Sequence, residues 1–165
     1  MDITIRQVRP EDLDGVTYVE SVCFPSEEAA DKKSSEDRIR AFPENFLVAE
    51  QKGEIVGFID GAVIGKRHIE DEMFERADMH DPKGEYQAVY GLAVLPDLRR
   101  RGIGTQLMEQ FIQRAKKHGL RGLTLTCKAH KIKFYESFGY GNEGISRSVH
   151  GGAVWYDMVL DLKKN

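Results

Sequence analysis

The chain has 165 residues, 41% of them hydrophobic, and carries 24 basic against 27 acidic side chains for a formal charge of -3; that length suits one domain whose core buries roughly 70% of the unfolded surface. The acidic balance excludes general duplex binding, which needs a surplus of Lys and Arg against phosphates. Residues 1–10 lack a signal peptide's apolar stretch and no run reaches membrane-spanning length, so a cytoplasmic protein with neither a membrane nor a nucleic-acid partner is expected.

Residues 3–8 alternate apolar and polar and predict an edge strand, after which Pro10-Glu11-Asp12 opens an amphipathic helix running to about Cys23. Residues 24–35 are polar and loop-like, suiting a mobile substrate flap, and Ser34 or Ser35 is placed to cap a short helix towards Ala41. Residues 46–50 and 54–59, separated by Gln51-Lys52-Gly53, predict a β-hairpin with glycine where positive φ is needed, its second strand running on to Ile64. Residues 65–84 are charged without a period and read as a helical or irregular insertion.

The apolar run 87–95, bounded by Pro96, predicts a central strand covered on both faces. Ile103, Leu107, Met108, Phe111, Ile112 and Ala115 then recur at helical spacing, and Gly119 stands where a C-terminal cap belongs. Residues 122–127 form a second apolar strand, giving a strand–helix–strand unit with a right-handed crossover. A short helix over about 130–138 and a strand over 154–160, paired with one near 145–149, complete a single domain, 1–165. Cys23 and Cys127 lie far apart and outside any Cys/His cluster, which predicts reduced thiols and no metal.

Chemistry concentrates in the turn after residue 95. Arg99, Arg100 and Arg101 precede Gly102-Ile103-Gly104-Thr105, a glycine-containing entrance to a helix whose unpaired N–H groups and dipole suit a phosphate. A Walker loop is absent, and the dinucleotide fingerprint fails because Leu107 stands where its third glycine belongs and Thr124 where an acidic residue should follow. A solvated arginine cluster on a plain tight turn is the competing explanation.

The pattern Arg99-x-x-Gly102-x-Gly104, directly after Leu92-Ala93-Val94-x-Pro96, resembles the pyrophosphate-binding motif of the GNAT acetyltransferase superfamily, and Phe134-Tyr135-x-x-x-Gly139-Tyr140 resembles its second signature. The resemblance implies an α/β fold with a mixed, mostly antiparallel central sheet, splayed at the cofactor site and flanked by helices. It implies acetyl-CoA as co-substrate, with the backbone of Leu92, Ala93 and Val94 on the pantetheine arm and the turn 99–105 on the pyrophosphate. Phe134 and Lys131 would lie near the adenine and its phosphates, although many family members carry Asn and Ala where this chain has Lys128 and Lys131. Tyr135 would face the sulfur, where a phenol of pKa near 10 can protonate a departing thiolate.

Within that superfamily the chain looks most similar to the serotonin (arylalkylamine) N-acetyltransferase branch, through Cys23-Phe24-Pro25, His80-x-Pro82-x-Gly84 and the spacing from Cys127 to Phe134-Tyr135. In vertebrates that branch places two histidines on the central strand, and the matching positions here are Ala88 and Tyr90, which makes Tyr90 the candidate base by position. Glu28, His80 and Glu85 are chemically able, but each also reads as a solvated surface residue. Phe24, Pro25 and Trp155 are the candidates for an apolar wall against an aryl group, with Glu28 a further substrate-binding candidate, and Trp155 reads first as core packing. A small-molecule amine is the expected partner, and a monomer or homodimer the expected state. A polyamine, protein-amine or antibiotic acetyltransferase and a non-catalytic acetyl-CoA sensor stand as alternatives.

Overall fold

The computed structural model describes residues 2–162. Strand β1 (Thr4–Gln7) leads through a 3-10 turn at Pro10–Asp12 into α1 (Leu13–Cys23), then α2 (Lys32–Ala41) and the hairpin β2 (Phe46–Gln51) and β3 (Glu54–Asp60). β4 (Val63–Ile64) and α3 (Asp71–Glu75) precede β5 (Tyr86–Val89) and β6 (Gly91–Val94). α4 (Ile103–Lys117), β7 (Gly122–Cys127), α5 (Ile132–Glu136), β8 (Gly141–Ile145) and β9 (Tyr156–Asp161) complete the order.

Local chemistry sets several boundaries. Asp31 caps α2 by accepting the Ser34 N–H at 2.8 Å, so the helix starts before the serines that the sequence offered as caps. In the hairpin, Lys52 and Gly53 sit at φ 51° and 84°, the doubly left-handed two-residue turn that matches strand twist. Along α4 all six apolar positions of the helical stripe are buried, and the helix packs across both sheets; each such large side chain contributes about 1.5–3 kcal/mol.

The strands form two sheets, ordered β1-β2-β3-β6 and β4-β5-β7-β9-β8. Among the described residues only β5 and β7, joined by the α4 crossover, run parallel, so the architecture is mixed and mostly antiparallel, as expected. The run 87–95 is two strands rather than one: Val89 still pairs with Leu125, whereas Gly91 pairs with Asp60 in the other sheet. The run 54–64 divides likewise at Gly61, and β4 joins the second sheet.

Close backbone approach produces this exchange. A Cβ at Gly61 would lie 1.8 Å from Ala88 O, and one at Gly57 2.8 Å from Ala93 O, so only glycine lets β3 pass this near β5 and β6. Carbonyls left by the crossing are taken up by buried Gln87, whose Nε2 donates to Gly61 O at 2.6 Å and Ala88 O at 2.8 Å while its Oε1 accepts from Asn45.

The insertion 65–84 contains α3 and a 3-10 turn at Ala77–Met79. It is bound to β8, β9 and the segment between them: Arg67 pairs with Glu143 at 2.6 Å and Asp161 at 3.0 Å, and Asp71 accepts from Ser148 Oγ and from Val149 N at 3.0 Å. On its side away from β7, β9 pairs with Gly141–Ile145, not residues 145–149; a bulge between Asn142 and Ile145 shifts the register, and the ladder resumes at Ile145 with Tyr156. Among the described residues no helix is long and apolar enough to cross a membrane.

Candidate active site

Where β5 gives way to β6 the two sheets part and enclose a cavity of about 930 Å³, with residues 89–94 on one lip and 125–128 on the other. Among the described residues β6 ends its sheet and has a strand partner on one side only, so an extended ligand can lie along its other edge.

At one end of the cavity stands the arginine–glycine turn. Arg100 and Gly102 adopt φ 64° and 82°, and the first N–H closed into α4 is that of Gln106, on Gly102 O at 3.0 Å. The amides of Ile103, Gly104 and Thr105 therefore point out of the helix start, where the dipole favours an anion. Arg99, Arg100 and residues 102–105 line the cavity, whereas Arg101 is not among the lining residues. The Arg99 side chain lies back along β6, Nε on Val94 O at 3.1 Å, and the Cys23 thiol donates to the same oxygen at 3.4 Å. Leu92, Ala93 and Val94 all border the cavity, but the Val94 carbonyl is thus already engaged.

Tyr135 and Phe134 reach the cavity from α5, beside Lys131. The Tyr135 ring packs edge-on against Tyr140 and Phe134, with centroids 5.8 and 5.1 Å away. Burial, with Cys127 nearby, pushes its phenol above the ordinary tyrosine value, so it holds its proton at neutral pH.

The far end is closed by contacts between distant segments. Glu28 Oε2 accepts from Lys128 Nζ at 2.8 Å, Lys128 Nζ lies 5.6 Å from the Trp155 ring centroid, and Trp155 Nε1 donates to His150 O at 2.8 Å. His150 Nε2 in turn donates to Glu28 O at 3.1 Å, and its ring stacks on Phe74. Residues 24–31, the first part of the segment 24–35 expected as a mobile flap, are thereby tied across the site, and Trp155 takes the wall position rather than core packing. Phe24, Pro25 and Glu28 line the same end.

Tyr90 marks the junction of β5 and β6. Its ring sits 5.2 Å from Phe74 and beneath the Arg38 guanidinium at 5.1 Å, and its buried hydroxyl has no hydrogen-bond partner among the described residues. Burial pushes this phenol up as well, and a group so held keeps its proton instead of accepting one. His80 and Glu85 lie outside the cavity: His80 Nδ1 accepts the Val63 N–H at 3.0 Å, and Glu85 is an exposed partner of Arg121.

Two charged residues that line the cavity, Glu20 and Arg38, and a third buried behind them, Asp60, are not among the candidates the sequence offers. Arg38 and Asp60 form an interior ion pair at 3.1 Å, and Glu20, only 4% exposed, faces them from α1. Burial first, and then Asp60, push the Glu20 carboxyl up to about 7, against the pull of Arg38 and the Ala30 N–H. A signal was present, because Glu20 occupies the buried stripe of α1 with Val16 and Val19, where a charge has no structural reason to stand.

The chain is similar to YkwB, an uncharacterized N-acetyltransferase of Bacillus subtilis, with 27% identity over 122 residues covering 67% of this chain and 54% of that protein. It is 31% identical over 75 residues to the ribosomal protein bS18-alanine N-acetyltransferase of Salmonella typhimurium, covering 44% of this chain and 51% of that one. Among solved structures, the GphF GNAT-like decarboxylase in complex with isobutyryl-CoA superposes with a TM-score of 0.84 at 21% identity, over 97% of this chain and 100% of that one. The chain spans about a quarter to a half of the length of the first curated relatives it matches. With residues 13–140 matching its family model, the chain belongs to the Acetyltransferase (GNAT) family.

Proposed function

We propose that the protein transfers an acetyl group from acetyl-CoA to a primary amine by direct attack. The observation that carries this reading is the opening of the sheets at Tyr90, which turns the unpartnered edge of β6 towards a cavity running from the start of α4 past Tyr135. The residues present fit acetyl-CoA: the amides of Ile103, Gly104 and Thr105, with Arg100, suit the pyrophosphate, and β6 suits the pantetheine arm. Backbone N–H near Leu92 polarises the thioester carbonyl, and Tyr135 protonates the leaving thiolate.

The acceptor end combines Phe24, Pro25, Phe74 and Trp155 with carboxylates, which suits an amine carrying an apolar or aromatic body, an arylalkylamine being the narrower form of this reading. A peptide N-terminus is the second reading, supported by the bS18-alanine N-acetyltransferase relative and by exposed Val149 and Val154 near Trp155.

Calorimetric titration with acetyl-CoA, followed by CoA release across arylalkylamines, polyamines and alanine- or lysine-bearing peptides, tests the proposal. Micromolar binding with amine-dependent release supports it and ranks the acceptors. Binding without release points to a sensor, and absence of binding removes the reading.

A further inference from the structure

We propose that Glu20 takes the proton from the acceptor ammonium, an assignment that rests on the acetyl-transfer reading above. The amine reaches the site as a cation and must lose a proton before its nitrogen can attack, so a base has to stand at the acceptor end, close to the thioester.

Glu20 meets that requirement by position. Asp60 pairs in register with Gly91, one residue before Leu92, and Arg38 holds Asp60. Glu20 lies within electrostatic reach of both, at the level where the two sheets part. Its Oε2 is fixed by the Ala30 N–H at 3.1 Å, whereas Oε1 has no hydrogen-bond partner among the described residues and the side chain borders the cavity.

The other groups facing this spot are committed elsewhere. From β3, Asp60 is paired with Arg38; from α2, Arg38 is also held by Phe74 O at 2.8 Å. At the strand junction Tyr90 retains its proton, and on α1 itself burial pushes the Cys23 thiol up. Across the cavity Glu28 is paired with Lys128, and the His150 ring is held between Phe74 and Glu28 O. Glu27, Asp31 and Glu75 also border the cavity, but all three are exposed to solvent, Glu27 accepting from Ser26 Oγ and Asp31 from the Ser34 N–H; Glu20 is the buried carboxylate without an ion-pair partner, and its value of about 7 matches a base working near neutral pH.

The protons balance. Glu20 takes one from R–NH3+; the neutral nitrogen then forms a bond to the thioester carbonyl carbon. As the C–S bond breaks, the electron pair leaves on sulfur and Tyr135 supplies its proton. The second nitrogen proton returns to Tyr135 through solvent and Glu20 releases its own, leaving amide, CoA thiol and one proton.

The test compares the wild type with Glu20→Gln and Glu20→Asp, recording kcat/KM for the best amine from pH 5.5 to 9 and acetyl-CoA affinity by calorimetry. Glutamine keeps the side chain's shape and an oxygen for Ala30. Expected are a 10²- to 10⁴-fold loss near neutral pH for Glu20→Gln with unchanged acetyl-CoA affinity, shrinking as the amine deprotonates unaided at high pH, and partial recovery in Glu20→Asp. Glu20→Gln with the wild-type rate and pH profile, or a loss equal at every pH, overturns the assignment. A wild type that binds acetyl-CoA but releases no CoA to any amine overturns the acetyl-transfer reading itself, and this assignment with it.

Discussion

Arg38 Nη1 stands 3.1 Å from Asp60 Oδ2 inside the molecule, and through that contact α2 is joined to the end of β3 just where the chain changes sheets. Replacing Arg38 with Met keeps much of the stem's packing but strands a buried carboxylate, for which an expected cost is about 3–5 kcal/mol. Urea unfolding measures this, and Arg38→Met combined with Asp60→Asn should cost less than the two single changes summed, since both charges are then gone.

Tyr135→Phe removes the proposed acid and little else, because the ring contacts with Phe134 and Tyr140 persist. CoA release should fall by about 10²-fold or more while acetyl-CoA affinity by calorimetry stays the same. An unchanged rate would take this phenol out of the mechanism.

Gly61 marks a place where stability depends on the absence of a single carbon. With Ala88 O only 1.8 Å from the Cβ position, Gly61→Ala must displace backbone, and about 3 kcal/mol or more is expected in chemical denaturation. At Gly53 the same change meets nothing within 4 Å and carries only the strain of φ 84°, about 1–2 kcal/mol.

Glu20 also makes a prediction that needs no turnover. Its carboxyl holds a proton up to about 7 in the folded protein, against an ordinary value of 4.5, so the folded state binds more protons between those limits. Stability therefore falls as pH rises from 4.5 through 7, by about 3 kcal/mol in all, and below 4.5 this penalty is absent. Melting curves across pH 4–8 should show Glu20→Gln gaining on the wild type through that window; a constant difference would count against a buried, titrating Glu20.

Periodicity made most elements legible. The stripe of α4, the hairpin turn at Lys52-Gly53 and the strand 122–127 depend on local pattern, and each occurs where that pattern lies. What stayed hidden depends on distant partners. Within 87–95 only Gly91 hints at a boundary beside Tyr90, and the close approach that goes with the exchange of sheets involves Gly57 and Gly61, some thirty residues earlier. The pyrophosphate turn could be read because its chemistry is backbone and contiguous. The acceptor floor was legible only at Glu20, through its place in the apolar stripe of α1; its neighbours Arg38 and Asp60 lie on two other elements and resemble ordinary charges until the fold is known. Trp155 was open to two readings for a related reason: an aromatic beside a strand suggests a core, and its place on the cavity wall depends on distant Lys128 as well as on His150.

The passage of one strand from sheet to sheet has a consequence for how the molecule opens. Val89 and Gly91 are separated by a single residue yet anchor different ladders, so neither sheet can fray at that point without loosening the other. In amide hydrogen exchange, residues 86–94 should behave as one cooperative unit together with β3 and β7, exchanging through the slowest, most global opening. The groove in which the substrates meet would then be among the last parts of the protein to melt, leaving mobility to the loops that close over it.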